Sequence, residues 1–170
     1  MDEVISTRTA GEDDVPIIGS ILCDSWKHAY RGLVEDQYLD TLSAERWTGF
    51  LTEGFSQRKL DGLLVMVDGH PAGAAVVRRS EINFYPDDAE MVCFYLLPNY
   101  VGRGIGSVLL DKMEQILTQS KYTQCVLDVI SANRRAIRFY ERKGFIKSGA
   151  PVGVTLDGQI LSCDIMRKTL

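Results

Sequence analysis

Three glycines alternate at positions 102, 104 and 106, inside Val101-Gly102-Arg103-Gly104-Ile105-Gly106-Ser107. An apolar run that reads as a strand precedes them, and a pattern that reads as an amphipathic helix follows. That context has the physics of an anion site. Glycine lets the backbone turn sharply and approach a ligand closely. The first N–H groups of a helix have no partner within it, and the helix dipole adds partial positive charge there. A phosphate or pyrophosphate fits such a concavity. Spacing narrows the ligand class. The loop is G-x-G-x-G and not the dinucleotide fingerprint G-x-G-x-x-G, although Asp128, 22 residues past Gly106, stands where a ribose-binding acid would. Pro98-Asn99-Tyr100 separates the loop from its strand, and too little chain follows Val129 for the second half of a dinucleotide fold. No lysine follows Gly106, so the nucleoside triphosphate loop G-x-x-x-x-G-K-[ST] is absent.

The elements that must position this loop follow from periodicity. Val4 to Thr9 reads as a strand. Acidic residues between Gly11 and Asp14 then open a helix over Val15 to Tyr30, with Ile17, Ile18, Ile21, Leu22, Trp26 and Tyr30 at helical spacing. Val34 to Leu42 and Ala44 to Leu51 read as two short helices split near Ser43. Leu63 to Val67 and Ala72 to Arg79 read as hairpin strands around Asp68-Gly69. Glu90 to Leu97 reads as a central strand, ended by Pro98. A helix runs from Ile105 to Ser120, with Leu109, Leu110, Met113, Ile116 and Leu117 on one face. Gln124 to Val129 reads as a strand. Asn133 caps a helix to Lys143 that Gly144 ends. Phe145 to Lys147 and Ile160 to Met166 read as two last strands, joined by a loop with Gly153 and a turn at Asp157-Gly158. The strand–helix–strand unit from Glu90 to Val129 predicts a parallel pair. The order as a whole predicts a mixed α/β sheet in one domain over residues 1–170.

Composition sets outer limits. The 170 residues are 45% hydrophobic and 25% charged, enough for a real core. A net charge of -4 lacks the basic footprint of a nucleic-acid binder. Cys23, Cys93, Cys125 and Cys163 form no C-x-x-C pair and sit among apolar neighbours, so they read as buried free thiols. His28 and His70 have no partner at ligand spacing, and no metal site is expected. The N-terminal stretch MDEVISTRTAGEDD has no basic segment before an apolar one, and no run approaches 18 apolar residues. The expectation is a cytoplasmic protein that does not span a membrane.

A second stretch makes the pattern specific. Asn133-Arg134-Arg135-Ala136-Ile137-Arg138-Phe139-Tyr140-Glu141-Arg142-Lys143-Gly144-Phe145 reads N-x-x-A-I-x-x-Y-x-x-x-G-F. Together with the glycine loop and Leu109-Leu110, it resembles the GNAT superfamily of N-acetyltransferases. That family carries [QR]-x-x-G-x-[GA] before an L-L-bearing helix and the N-x-x-A-I segment after it. One departure is plain: Val101 stands at the usual Gln/Arg position. The resemblance implies a largely antiparallel sheet of about seven strands. Four to five helices flank it, and a parallel pair splays at the cofactor site. It implies an acyltransferase that moves the acetyl group of acetyl-coenzyme A, its co-substrate, to a primary amine of a small molecule or peptide by direct attack. A non-catalytic sensor of acetyl-coenzyme A is the alternative. A homodimer is left open.

The resemblance also assigns residues. Backbone groups of Tyr95 and Leu96 pair with the pantetheine arm, and Gly102, Arg103, Gly104, Ile105, Gly106 and Ser107 hold the pyrophosphate. Asn133 either bonds the pantetheine arm or only caps its helix. Tyr140 is the general acid that returns a proton to the leaving thiolate, or else a core aromatic. Glu90 is the candidate base that deprotonates the amine, with Asp128 as the alternative. Arg134, Arg135, Arg138, Arg142 and Lys143 offer a basic face to the 3′-phosphate or to solvent. Trp26, Tyr30 and Tyr38 read as walls of the acceptor pocket or as core. Glu35, Asp36 and Asp40 would make that pocket acidic if they faced it.

Overall fold

Strand-forming runs from both halves of the chain enter one eight-stranded sheet in the computed structural model, which describes residues 3–170. Met1 and Asp2, the start of the N-terminal stretch read above, lie outside the described residues. The strands are β1 (Ile5–Ala10), β2 (Asp61–Val67), β3 (His70–Arg79), β4 (Ala89–Leu96), β5 (Gln124–Ile130), β6 (Ile146–Lys147), β7 (Val152–Leu156) and β8 (Gln159–Thr169). Their order across the sheet is β1-β2-β3-β4-β5-β8-β6, with β7 pairing β8. Every pair is antiparallel except β4–β5. That pair is joined by a helix, and a parallel connection needs such a crossover. Among the described residues five α-helices complete the fold: α1 (Val15–Ala29), α2 (Asp36–Thr41), α3 (Thr48–Ser56), α4 (Ile105–Gln119) and α5 (Arg134–Arg142).

Alternation along the strands sorts two cores onto the two faces. Leu63 and Val65 of β2 join Leu109, Leu110, Met113 and Leu117 of α4 and Ile137 of α5. Leu64 of β2, with Ala74 and Val76 of β3, joins Ile18, Ile21 and Leu22 of α1 and Leu51 of α3. Spacings of three and four along each helix make one apolar stripe, and the sheet lies between the two helical layers. Each fully buried leucine contributes roughly 1.5–3 kcal/mol relative to exposure.

Two local readings needed correction. The stretch before Asp157-Gly158, expected to be loop, is β7, which pairs Leu156 with Gln159 and Val152 with Cys163 in a hairpin. Four of its five residues are exposed and it carries Gly153, so no apolar alternation marked it. The helix expected from Ala44 begins as a 3-10 turn over Ala44–Trp47 and becomes α3 only at Thr48.

Two details shape the centre. The register of β3 against β4 moves from Val76↔Cys93 to Val77↔Met91, which leaves Val92 as an extra residue on β4. Such a bulge bends its strand and strengthens the twist. Accordingly β4 and β5 are bonded only at Ala89↔Cys125 and Glu90↔Val126, and part beyond them. Helix α5 is fixed at both ends. The Asn133 side chain accepts from the Ala136 N–H at 3.2 Å. At the far end the Phe145 N–H bonds the Tyr140 carbonyl and the Gly144 N–H bonds the Glu141 carbonyl, both at 3.0 Å. These are the paired bonds of a Schellman motif, with Gly144 at φ 90° and the Phe145 ring 5.6 Å from that of Tyr140. The N-x-x-A-I-x-x-Y-x-x-x-G-F pattern is thus a cap, an apolar stripe and a stop.

Candidate active site

Where β4 and β5 part, a cavity of about 550 Å³ opens. Gly102, Gly104, Gly106 and Ser107 line one end of it. Gly102 and Gly104 have φ of 83° and 80°, and Gly104 is the N-cap of α4. Among the described residues, no protein group accepts from the N–H groups of Gly102 through Gly106. Five successive free donors at a helix N-terminus have the geometry of an anion cradle. Ile105 contributes only its backbone there, since its side chain is fully buried in the core under α4. Val101, in place of the family's Gln/Arg, also lines the cavity. From α5, Arg135 and Arg142 reach the same cavity. The other arginines of that run, Arg134 and Arg138, do not line it, and Lys143 pairs with Asp111.

The Arg103 side chain points away from the cavity. Its guanidinium bonds the Asn99 carbonyl at 3.1 Å, pairs with Glu3 and lies 5.3 Å from the centre of the Tyr100 ring. It does not line the cavity. The side chain serves as a strut for the turn before α4, and only its backbone N–H belongs to the cradle.

The middle of the cavity carries the titratable groups. Tyr140, on α5, packs against Phe139 at 5.4 Å and Phe145 at 5.6 Å, and Phe94 of β4 stacks on Phe139 at 5.7 Å. The ring is fixed by this aromatic cluster, and no described side chain or carbonyl engages its hydroxyl. Burial first, then the neighbouring Tyr30, pushes its ionisation well above the ordinary phenol range. It is therefore a neutral O–H donor at any ordinary pH. Asn133 lines the cavity two helical turns earlier, its side-chain oxygen used as the cap and its amide N–H free to donate. Tyr95 and Leu96 line the opposite wall. The Tyr95 hydroxyl meets that of Tyr30 at 3.0 Å, and the Leu96 carbonyl already accepts from Ser25 Oγ at 2.7 Å.

The carboxylate in the cavity is Asp128, not Glu90. Glu90 is 6% exposed, is gripped by Arg78 through two bonds of 3.2 Å, accepts the Glu81 N–H at 2.9 Å, and does not line the cavity. Its partners are Arg78 of β3 and Glu81, just past that strand's end, so it is committed away from the cavity. Asp128 lines the cavity from β5, just past the last β4–β5 bond. The surrounding wall desolvates it and Glu90 adds repulsion, so its pKa is raised above the usual carboxylate range. That shift makes it a better proton acceptor for an alkylammonium. We expect Glu90→Gln, which removes this neighbouring negative charge and frees Arg78, to move the acidic limb of the pH–rate profile to lower pH. Turnover on the plateau should fall by less than about tenfold, well short of the loss of a direct base. Steady-state rates from pH 5 to 9 measure both.

The remaining walls come from α1 and the β7–β8 hairpin: Trp26 and Tyr30 on one, Leu156 and Leu161 on the other. Tyr38 packs beside this cluster without lining the cavity. Asp36 and Asp40 are held by Arg31, at 3.4 and 3.0 Å, and Glu35 also lies outside the lining. No group of three or more His, Cys, Asp or Glu among the described residues is placed to hold a metal ion.

The sequence model of the Acetyltransferase (GNAT) family matches residues 16–145. The chain belongs to that family. It is an acetyl-coenzyme A-dependent N-acetyltransferase. Among proteins similar to it, the spermidine N(1)-acetyltransferase of Thermoplasma acidophilum is 25% identical over 141 residues, 83% of this chain and 88% of that one. The uncharacterized N-acetyltransferase YuaI of Bacillus subtilis is 29% identical over 142 residues, 81% of this chain and 78% of that one. The same fold is seen in the PaiA N-acetyltransferase of Thermoplasma acidophilum in complex with coenzyme A, with a TM-score of 0.76 and 23% identity over 98% of this chain and 99% of that one. It is seen again in YncA of Salmonella typhimurium with its cofactor acetyl-CoA, with a TM-score of 0.72 and 20% identity over 98% and 94% of the two chains. The match spans α1 to α5, so the glycine loop, the splayed pair and the Asn133–Tyr140 segment all lie inside it.

Proposed function

We propose that the chain acetylates a primary amine by direct attack on acetyl-coenzyme A, with Asp128 as the base and Tyr140 as the acid. The observation that carries this is the placing of both groups on one cavity, beside a row of five unpaired backbone donors. The pyrophosphate rests on the N–H groups of Gly102 to Gly106. The pantetheine arm runs between β4 and β5, along the backbone of Tyr95 and Leu96 and past the amide of Asn133. Asp128 takes a proton from the ammonium, and the freed lone pair attacks the thioester carbonyl. The C–N bond forms, the C–S bond breaks, Tyr140 gives its proton to the departing sulfur, and the second proton shed by the new amide nitrogen restores the tyrosine hydroxyl. A sensor of acetyl-coenzyme A would need neither titratable group. Residues 1–170 act as one such domain in the cytoplasm. In support, one sheet runs from β1 to β8, and four free thiols suit a reducing compartment.

Tyr140→Phe tests the acid. The ring and its aromatic contacts remain, and the hydroxyl leaves no protein partner unpaired, so the melting temperature should hold. Thiol release with an accepted amine should fall by about tenfold or more, while acetyl-coenzyme A affinity stays within a few-fold. Equal loss of binding and turnover would make Tyr140 a packing residue instead.

A further inference from the structure

We propose that the acceptor is a small monoamine on an apolar body, of the size of an arylalkylamine, and not a polyamine. This rests on the acetyl-transfer reading above. Beyond Asp128, away from the glycine loop, the cavity wall is Trp26, Tyr30, Ile130, Val154, Leu156 and Leu161. Five of these, all but Val154, pack into a single apolar cluster, with the Trp26 and Tyr30 rings edge-on at 4.9 Å. Asp128 is the sole acid lining the cavity among the described residues. Asp36 and Asp40 pair with Arg31 and Glu90 with Arg78, and Glu35, whose N–H bonds the Gln159 side chain, lies outside the lining.

This charge count selects the substrate. One carboxylate receives one ammonium, the one that reacts. A second ammonium on the same acceptor would lie against indole, phenol and aliphatic side chains, with no counter-charge to replace its water. An apolar or aromatic body loses nothing there and gains by leaving water, with edge-on contacts open to it from Trp26 and Tyr30. The spermidine enzyme of Thermoplasma acidophilum is named for a polyamine, and the monoamine assignment differs from that name.

The test uses the full chain, acetyl-coenzyme A and a thiol-release assay with phenethylamine, tryptamine, hexylamine, putrescine and spermidine. The expected kcat/KM for phenethylamine exceeds that for spermidine by tenfold or more. Leu156→Glu places a second carboxylate on the partly exposed hairpin wall, at the edge of that apolar cluster. It should move the ratio of the two kcat/KM values toward spermidine by at least tenfold, and Val154→Glu should do so independently. Acetyl-coenzyme A affinity, followed by thermal shift, should stay unchanged in both. A wild type that prefers spermidine overturns the monoamine assignment and leaves acetyl transfer standing. A chain that binds acetyl-coenzyme A and acetylates none of the five amines overturns both.

Discussion

Asp128→Asn will lower acetyl transfer by about 10²–10⁴-fold, the range for loss of a positioned general base, with acetyl-coenzyme A affinity within a few-fold of wild type. The substitution keeps shape and removes charge, so on the proposed mechanism no loss of acetyl-coenzyme A binding is expected. In the wild type, activity should fall as pH drops through the raised pKa of this carboxylate, because the base is then protonated. The variant should lose that limb. The same shift gives an independent readout in stability. A carboxyl whose folded pKa lies above its unfolded value is neutral in both states at low pH and carries no penalty there. As pH rises through the ordinary carboxylate range and then through the folded pKa, the folded state must hold a charge it disfavours. Asp128→Asn should therefore melt at the same temperature as wild type in acid and at an equal or higher temperature at pH 7. Normal turnover with an unchanged acidic limb would return Asp128 to a structural role.

That Asp128 and not Glu90 lines the cavity shows where sequence stops being legible. Both acids stand on strands flanking the loop, and local pattern does not separate them. What separates them is non-local. The register pairs Arg78 with Glu90 across β3 and β4, which neutralises one acid, and the β4–β5 bonds end before Asp128, which opens the other to the cavity. The Val92 bulge that helps part those strands has no sequence signature of its own, since every residue around it is apolar. The side-chain setting of Arg103 is non-local for the same reason: its partner Glu3 lies a hundred residues earlier. By contrast, the features read correctly are those that local backbone physics demands. The glycine loop announces itself because positive φ needs glycine, and α5 does so because its cap and its stop are fixed by single residues. The pocket walls occupy a middle ground. Trp26 and Tyr30 were placed between core and wall, and they are both, packing on one side and lining the cavity on the other.

Gly104→Val will weaken acetyl-coenzyme A binding by about 100-fold, close to 2.7 kcal/mol, without unfolding the protein. The reason lies in the backbone more than in space. A Cβ at Gly104 would touch nothing within 4 Å, so no clash in the free protein forbids it. The residue is held at φ 80° and ψ -10°, however, a left-handed conformation that costs an L-residue about 1–2 kcal/mol and a β-branched one more. Valine relieves that strain by turning the peptides on either side, and those peptides carry the donors of the cradle. One or two N–H groups then no longer converge on the phosphates, each charge-assisted bond being worth about 1.5–3 kcal/mol. Asparagine at the same position separates the two causes, because it tolerates the left-handed region far better than valine. Titration calorimetry with acetyl-coenzyme A on Gly104→Asn should recover at least tenfold of the affinity lost in Gly104→Val. Equal loss in both variants would mean that any side chain there blocks the phosphates, and unchanged affinity in a folded Gly104→Val would remove the cradle from the binding site altogether.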